Sequence, residues 1–179
     1  DDKILLVKER SDGLWTLHGG FAEDDESPVE EAVRETFEES GYEVKPVKLL
    51  SAYDNNNSKH GHTPFLQGLY KLIFQCEIIG GSPTPSIETA EVDFFTENNI
   101  PQLSIRRVTP TQINRIFEHY RNPDLATDFD WYSIFYLTVN LGGQGCPELW
   151  REEHLPVKFS PPHKSLMIYI CTLFNCKML

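Results

Sequence analysis

Apolar and polar positions along this chain follow two different periods. Residues 3–8, KILLVK, form a short apolar run bounded by polar turn residues and predict a strand. SDG at 11–13 predicts a turn, and LWTLH at 14–18 a second short strand. The period then changes. Ser27 offers an N-cap, Pro28 takes the first helical position, Glu30 completes a capping box, and Gly41 supplies the stop. Between these signals Val29, Ala32, Val33, Thr36 and Phe37 recur at helical spacing and predict one mostly apolar face.

Further strands are predicted at 44–53, where Pro46 suggests an edge or a bulge, and at 69–79. The loop between them contains DNNNSKHGHTP, long and polar, and reads as a binding loop. GGSPTP at 80–85 is a turn, VDFF at 92–95 a short strand, and TPTQINRIFEHY at 109–120 a helix with a start signal at Thr109-Pro110. LMIYICTLF at 166–174 reads as a buried strand or a short helix, because it is far shorter than the roughly 18 apolar residues of a membrane span. No internal repeat is visible.

Composition changes near residue 130. Residues 131–179 hold 4 basic and 3 acidic residues against 12 and 24 in the rest of the chain, and three of the four cysteines, 146, 171 and 176, lie there. GGQG and FSPPHK break this stretch into short pieces. The expected organisation is therefore a domain over 1–130 and a tail of uncertain structure, 131–179, that packs poorly on it. Because the chain opens with DDKILLVK and no methionine, the domain is also expected to be N-terminally incomplete.

The net charge of -11 argues against non-specific binding to nucleic acid backbones, which takes clustered Lys and Arg. It suits a protein that meets anionic ligands through a bound cation. Cys76 and the three tail cysteines form no CxxC pair and read as reduced thiols, so a cytoplasmic setting is expected. No membrane contact is expected, and a homodimer is left open.

The chemistry concentrates in GGFAEDDESPVEEAVRETFEESGY, residues 19–42. On a helix Glu35, Glu38 and Glu39 converge on one patch, with Glu31 a turn below. Arg34 can pair with Glu30 or Glu38 but cannot neutralise the group. Such repulsion weakens a helix by tenths of a kcal/mol per pair, about 0.2–0.5. A hard divalent ion, Mg²⁺ or Mn²⁺, removes it, and such ions commonly bridge carboxylates to substrate phosphates. The alternative is a solvated acidic face on an ordinary amphipathic helix. Gly19 and Gly20 shift the balance, since residues without side chains let backbone and ligand approach closely.

This stretch resembles the Nudix box: Gly, five residues, Glu, seven residues, then Arg-Glu-U-x-Glu-Glu-x-Gly-U, with U bulky and apolar. Gly20, Glu26, Arg34, Glu35, Glu38, Glu39 and Gly41 stand at the required spacings. Thr36 and Tyr42 occupy the two U positions, and His18 replaces the proline common before the glycines. LSAYDNNNSKHGHTPF, LYKLIFQCEIIGG, SIETAEVDFFTENNIPQLS and RVTPTQI are similar to the subgroup of CDP-choline pyrophosphatases and ADP-ribose pyrophosphatase-like enzymes, over residues 3–129.

The resemblance implies an α/β (α+β) Nudix fold, a mixed β-sheet sandwiched between α-helices. It implies hydrolysis of a nucleoside diphosphate linked to another moiety, with a small-molecule substrate and Mg²⁺ or Mn²⁺ as cofactor. Glu35 and Glu39 become leading metal ligands, and Glu38 a ligand or the base that activates water. Arg34 orients the glutamates, and Glu26 serves the loop's structure. Glu91, with Glu88, is a candidate extra ligand or base on a loop facing the box. Gly19, Gly20, His60 and His62 are candidate substrate contacts, and Phe65 and Tyr53 are divided between base stacking and core packing. A nucleotide-binding protein without turnover, and a truncated inactive fragment, stand as the competing readings.

Overall fold

A computed structural model describes residues 2–54 and 69–130, and the backbone of 166–174. In chain order it contains β1 (Lys3–Glu9), β2 (Trp15–Thr16), α1 (Pro28–Ser40), β3 (Tyr42–Asp54), β4 (Tyr70–Gly81), β5 (Thr89–Thr96), α2 (Pro110–Arg121), β6 (Asp128–Phe129) and β7 (Leu166–Phe174). The strands form one mixed sheet in the order β2-β1-β7-β4-β3-β6, with β5 on the other edge of β1.

β1 is covered on both faces, and Ile4, Leu5, Leu6 and Val7 are all fully buried. This is why its sequence is a continuous apolar run rather than an alternating one. The two faces carry separate cores. On one, Ile4, Leu6 and Ile73 pack with Ile113, Ile116 and Phe117 of α2. On the other, Phe74 and Cys76 pack with Ala32 of α1 and Val44. Ile73 and Phe74 are neighbours in β4 and point to opposite faces, as a strand requires. A sheet between helices is thus the observed layering, in agreement with the expected fold class.

Both helices begin as their sequences dictate. Ser27 and Glu30 form a reciprocal capping box ahead of α1, and Thr109 and Gln112 do the same ahead of α2. Gly41 ends α1 in the left-handed region at φ 77°, and a Cβ there would lie 2.4 Å from the carbonyl oxygen of Ser82. Pro46 lies at a register shift between β3 and β4, the bulge its presence suggested.

One expectation is corrected. The apolar face of α1 is narrower than its spacing predicted: Ala32 and Thr36 are buried, but Val29 and Phe37 are 43% and 53% exposed. The remaining buried positions are Glu31, Glu39 and Ser40, because the Gly19–Gly20 loop covers the glutamate side of the helix. Of the stretch 131–179 the structure describes the backbone of 166–174. Residues 166–174 form β7, which runs parallel to β4 from Tyr70↔Leu166 to Cys76↔Thr172 and antiparallel to β1 at Lys3↔Phe174 and Ile4↔Leu173.

β7 therefore joins the two halves of the sheet. Ending the chain at Asp130 should leave the facing edges of β1 and β4 without their ladder, and the shortened protein should lose its cooperative melting transition. A shortened chain that melts as sharply as the full one, by circular dichroism, would show that β7 is dispensable.

Candidate active site

The strand β2 runs into Leu17 and His18, both buried, and then into the two glycines. Burial pushes the His18 imidazole down to about 3, so it is neutral where the chain enters the loop. The loop then meets α1 through three glutamates spaced a helical turn apart, Glu31, Glu35 and Glu39, which share one face. The N–H of Gly19 donates to Glu39 Oε2 at 3.0 Å, and the N–H of Gly20 donates to Glu31 Oε1 at 3.1 Å. Between them Glu35 approaches Gly20 so closely that a Cβ on that glycine would sit 2.5 Å from Glu35 Oε1. A side chain there would displace the Glu35 carboxylate from its present position.

Arg34 braces the outer side. Its Nε and Nη2 reach the two carboxylate oxygens of Glu26 at 3.0 and 2.9 Å, and its Nη1 reaches Glu35 Oε1 at 2.9 Å and Glu38 Oε2 at 3.2 Å. Paired carboxylates, Glu26 first, raise its already high pKa. One guanidinium thus serves three carboxylates and fixes the direction in which Glu35 and Glu38 point.

The compensation remains incomplete. Glu31 is fully buried, and its Oε2 has no hydrogen-bond partner among the described residues. Burial first, then the neighbouring Glu35 carboxylate, pushes Glu31 up to about 8. Burial does the same to Glu39, also up to about 8, with Glu9, Glu35 and Glu88 adding to it. Burial raises Glu35 as well, against the opposing pull of Arg34. Glu35 and Glu39, but not the fully buried Glu31, sit on a cleft of about 450 Å³ lined also by Gly19, Gly20, Phe21, Glu38, Ser86, Ile87, Glu88 and Arg107.

The donors are hard carboxylate oxygens, under-compensated and partly buried, and so fit a divalent cation in kind. Among the described residues, no three His, Cys, Asp or Glu side chains are gathered closely enough to hold a metal ion in their present positions.

Gly19, Gly20, Arg34, Glu35, Glu38 and Glu39 are therefore brought together, although Glu38 is on the outer rim and 56% exposed. Of the two downstream carboxylates, Glu88 lines the cleft. Glu91 lies within β5 rather than on a loop, opposite Lys8 in register, and its carboxylate pairs with Lys8 Nζ at 2.7 Å. Alternation along the strand takes it away from the site. Tyr53 is buried in the core beneath α2. His60, His62 and Phe65 lie outside the described residues.

Glu9 and Arg107 were missed. Glu9 is buried at the end of β1, on the strand face it shares with Leu5 and Val7. A charged residue closing an otherwise apolar strand was the available signal. Arg107 had none, because only the fold brings the start of α2 to the box. Among the described residues no helix is long and apolar enough to cross a membrane.

Residues 1–116 match the model of the NUDIX domain, and the chain belongs to that family. The Bacillus subtilis protein YjhB, named as a candidate ADP-ribose pyrophosphatase, is 42% identical over 73% of this chain and 62% of its own length. An ADP-ribose pyrophosphatase of Methanocaldococcus jannaschii is 34% identical over 58% of this chain and 60% of its own. The chain thus spans about three fifths of the length of these relatives. The crystal structure of an ADP-ribose pyrophosphatase from Streptococcus suis superposes with a TM-score of 0.63 at 31% identity, covering 72% of this chain and 90% of the other. A UDP-X diphosphatase structure has the same TM-score at 32% identity, covering 73% and 62%.

A raised carboxyl pKa has a definite consequence for stability. Between about 4.5 and 8 the folded protein holds the Glu31 proton while the unfolded chain has released it, so rising pH removes that contribution. Glutamine imitates the protonated acid and does not titrate. With chelator present, the melting temperature of Glu31→Gln relative to wild type should therefore increase as pH goes from 5 to about 8. A difference independent of pH would mean that Glu31 ionises as an ordinary carboxyl.

Proposed function

We propose that this chain is a divalent-metal-dependent pyrophosphohydrolase that cleaves the diphosphate linkage of a nucleoside diphosphate derivative. ADP-ribose and related nucleotide sugars are the first candidates, ahead of CDP-choline. The supporting observation is the meeting of the Gly19–Gly20 loop with Glu35 and Glu39 on the wall of one open cleft, with Glu31 buried behind them. The names of its relatives favour ADP-ribose, and membership of the NUDIX family favours diphosphate chemistry.

In this reading Glu35 and Glu39 hold Mg²⁺ or Mn²⁺, and Glu38 is either a third ligand or the base that takes a proton from water. When bound, the cation neutralises diphosphate charge and lowers the pKa of the attacking water. Arg34 holds the Glu35 and Glu38 carboxylates in fixed orientation. The amide bond from Gly19 anchors Glu39 and limits its rotation. Glu88 is the downstream carboxylate suited to assist, because it faces the same cleft. Gly20, having no side chain, leaves room for the Glu35 carboxylate against the loop. A cytoplasmic location belongs to the same proposal and accords with Cys76 being a free thiol.

The test measures phosphorylated products from ADP-ribose, CDP-choline and UDP-glucose, with Mg²⁺ and with chelator. Turnover should require the metal, and Mg²⁺ should raise the melting temperature. Unchanged turnover in excess chelator, or none with any metal, would leave a binding protein without catalysis.

Two substitutions separate a metal site from an acidic helix face. Glu39→Gln keeps an acceptor for the Gly19 amide but removes the charge. It should lower metal affinity and turnover at least about tenfold while circular dichroism remains native. Glu30→Gln, at the cap and off the cleft, should change little. Equal losses in the two variants would point to a merely acidic surface.

A further inference from the structure

The cleft raises an electrostatic difficulty. A diphosphate must enter between Glu35, Glu38, Glu39 and Glu88, and Arg107 is the basic residue among those lining it. Arg34 is poorly placed to help, because Glu26, Glu35 and Glu38 already engage its fork. For Arg107 the structure gives an ion pair from Nη1 to Glu9 Oε1 at 3.0 Å, with the arginine side chain 38% exposed and the glutamate 5%. Guanidinium carries five N–H donors in a planar fork, and one such contact leaves most of them directed elsewhere.

The backbone at this position is unusually well held. The Arg107 N–H donates to the carbonyl of Ser104 at 2.8 Å, and the Val108 N–H donates to the same carbonyl at 2.9 Å. Ser104 is itself tied down, its N–H to the Trp15 carbonyl at 2.8 Å and its hydroxyl to Asp12 Oδ2 at 2.7 Å. From beneath, Lys71 Nζ, on a side chain only 1% exposed, donates to the Arg107 carbonyl. Burial pushes the Lys71 amine down to about 7, and its bond to this carbonyl adds a further hold on the turn that carries Arg107.

The geometry points to Arg107 as the residue that binds the substrate's diphosphate, with Glu9 as the positioning residue that aims it and Lys71 and Ser104 as the support of its backbone. This assignment rests on the hydrolase reading only for the identity of the ligand. Phosphate oxygens would take the guanidinium donors not used by Glu9, in the paired geometry that arginine offers to anions.

The test is equilibrium binding of ADP-ribose, CDP-choline and UDP-glucose to the full chain in Ca²⁺, alongside turnover in Mg²⁺. Arg107→Ala alone would strand buried Glu9, so the informative variant is Arg107→Ala with Glu9→Gln, which removes both charges. That double variant should keep its fold and weaken binding about tenfold to a hundredfold, the range for losing hydrogen bonds to a charged group. Arg107→Lys should fall between it and wild type, and KM should rise more than kcat falls. Dissociation constants in the double variant equal to wild type would overturn the assignment, since a merely structural pair is repaired by removing both partners. Binding of none of the three nucleotides by wild type would overturn it as well. Wild-type binding without hydrolysis, weakened in the double variant, would defeat the hydrolase reading and sustain the role of Arg107.

Discussion

The missing side chain of Gly20 is the constraint around which the site is built. Glu35 occupies the space where a Cβ would stand, and beside it the amides of Gly19 and Gly20 donate to Glu39 and Glu31. Three carboxylates one turn apart are drawn inward against a backbone offering two N–H groups. That is too little compensation for the charge, and both Glu31 and Glu39 are pushed up to about 8 in consequence. The helix holds its acids in a state that an incoming cation would relieve.

The rest of the fold can carry that burden. Each fully buried Ile or Leu contributes roughly 1.5–3 kcal/mol toward offsetting the cost of burying these carboxyl groups. Ile4, Leu6, Ile73, Ile113 and Phe117 form a core on the side of the sheet away from α1. The C-terminal end of α1 is then pinned from several directions. Thr89 donates its hydroxyl to the Glu39 carbonyl at 2.7 Å, and the Ser82 and Thr84 amides donate to the carbonyls of Gly41 and Ser40. Glu39 is thus fixed through both its side chain and its main chain. A site that is locally unfavourable and globally supported is the usual relation between function and stability.

The two arginines near the cleft differ through their surroundings. Arg34 belongs to α1 and is consumed by local carboxylates, two of them beside it on the same helix. Arg107 precedes α2 and meets a single buried partner at the end of β1. The same side chain is engaged by three carboxylates in one place and by one in the other.

Local signals determined much of this protein before any folding was considered. The caps of α1 and α2, the Gly41 stop, the Pro46 bulge and the glutamate spacing all depend on neighbours a few residues apart. They were therefore legible in order along the chain, and the resemblance of the box to the Nudix pattern rests on the same short-range spacing. Tertiary structure decided what those signals leave open. Helical periodicity placed Val29 and Phe37 on the buried face, but the loop that covers α1 lies over its glutamates, and the two apolar side chains stay exposed. Glu91 reads in the sequence as the stronger downstream candidate, yet strand pairing gives it to Lys8 and leaves Glu88 at the cleft. Glu9, Arg107 and Lys71 come together from β1, the start of α2 and β4. Contacts of that kind have no period and no spacing, because they follow from the order in which strands pair and not from the chain's own geometry.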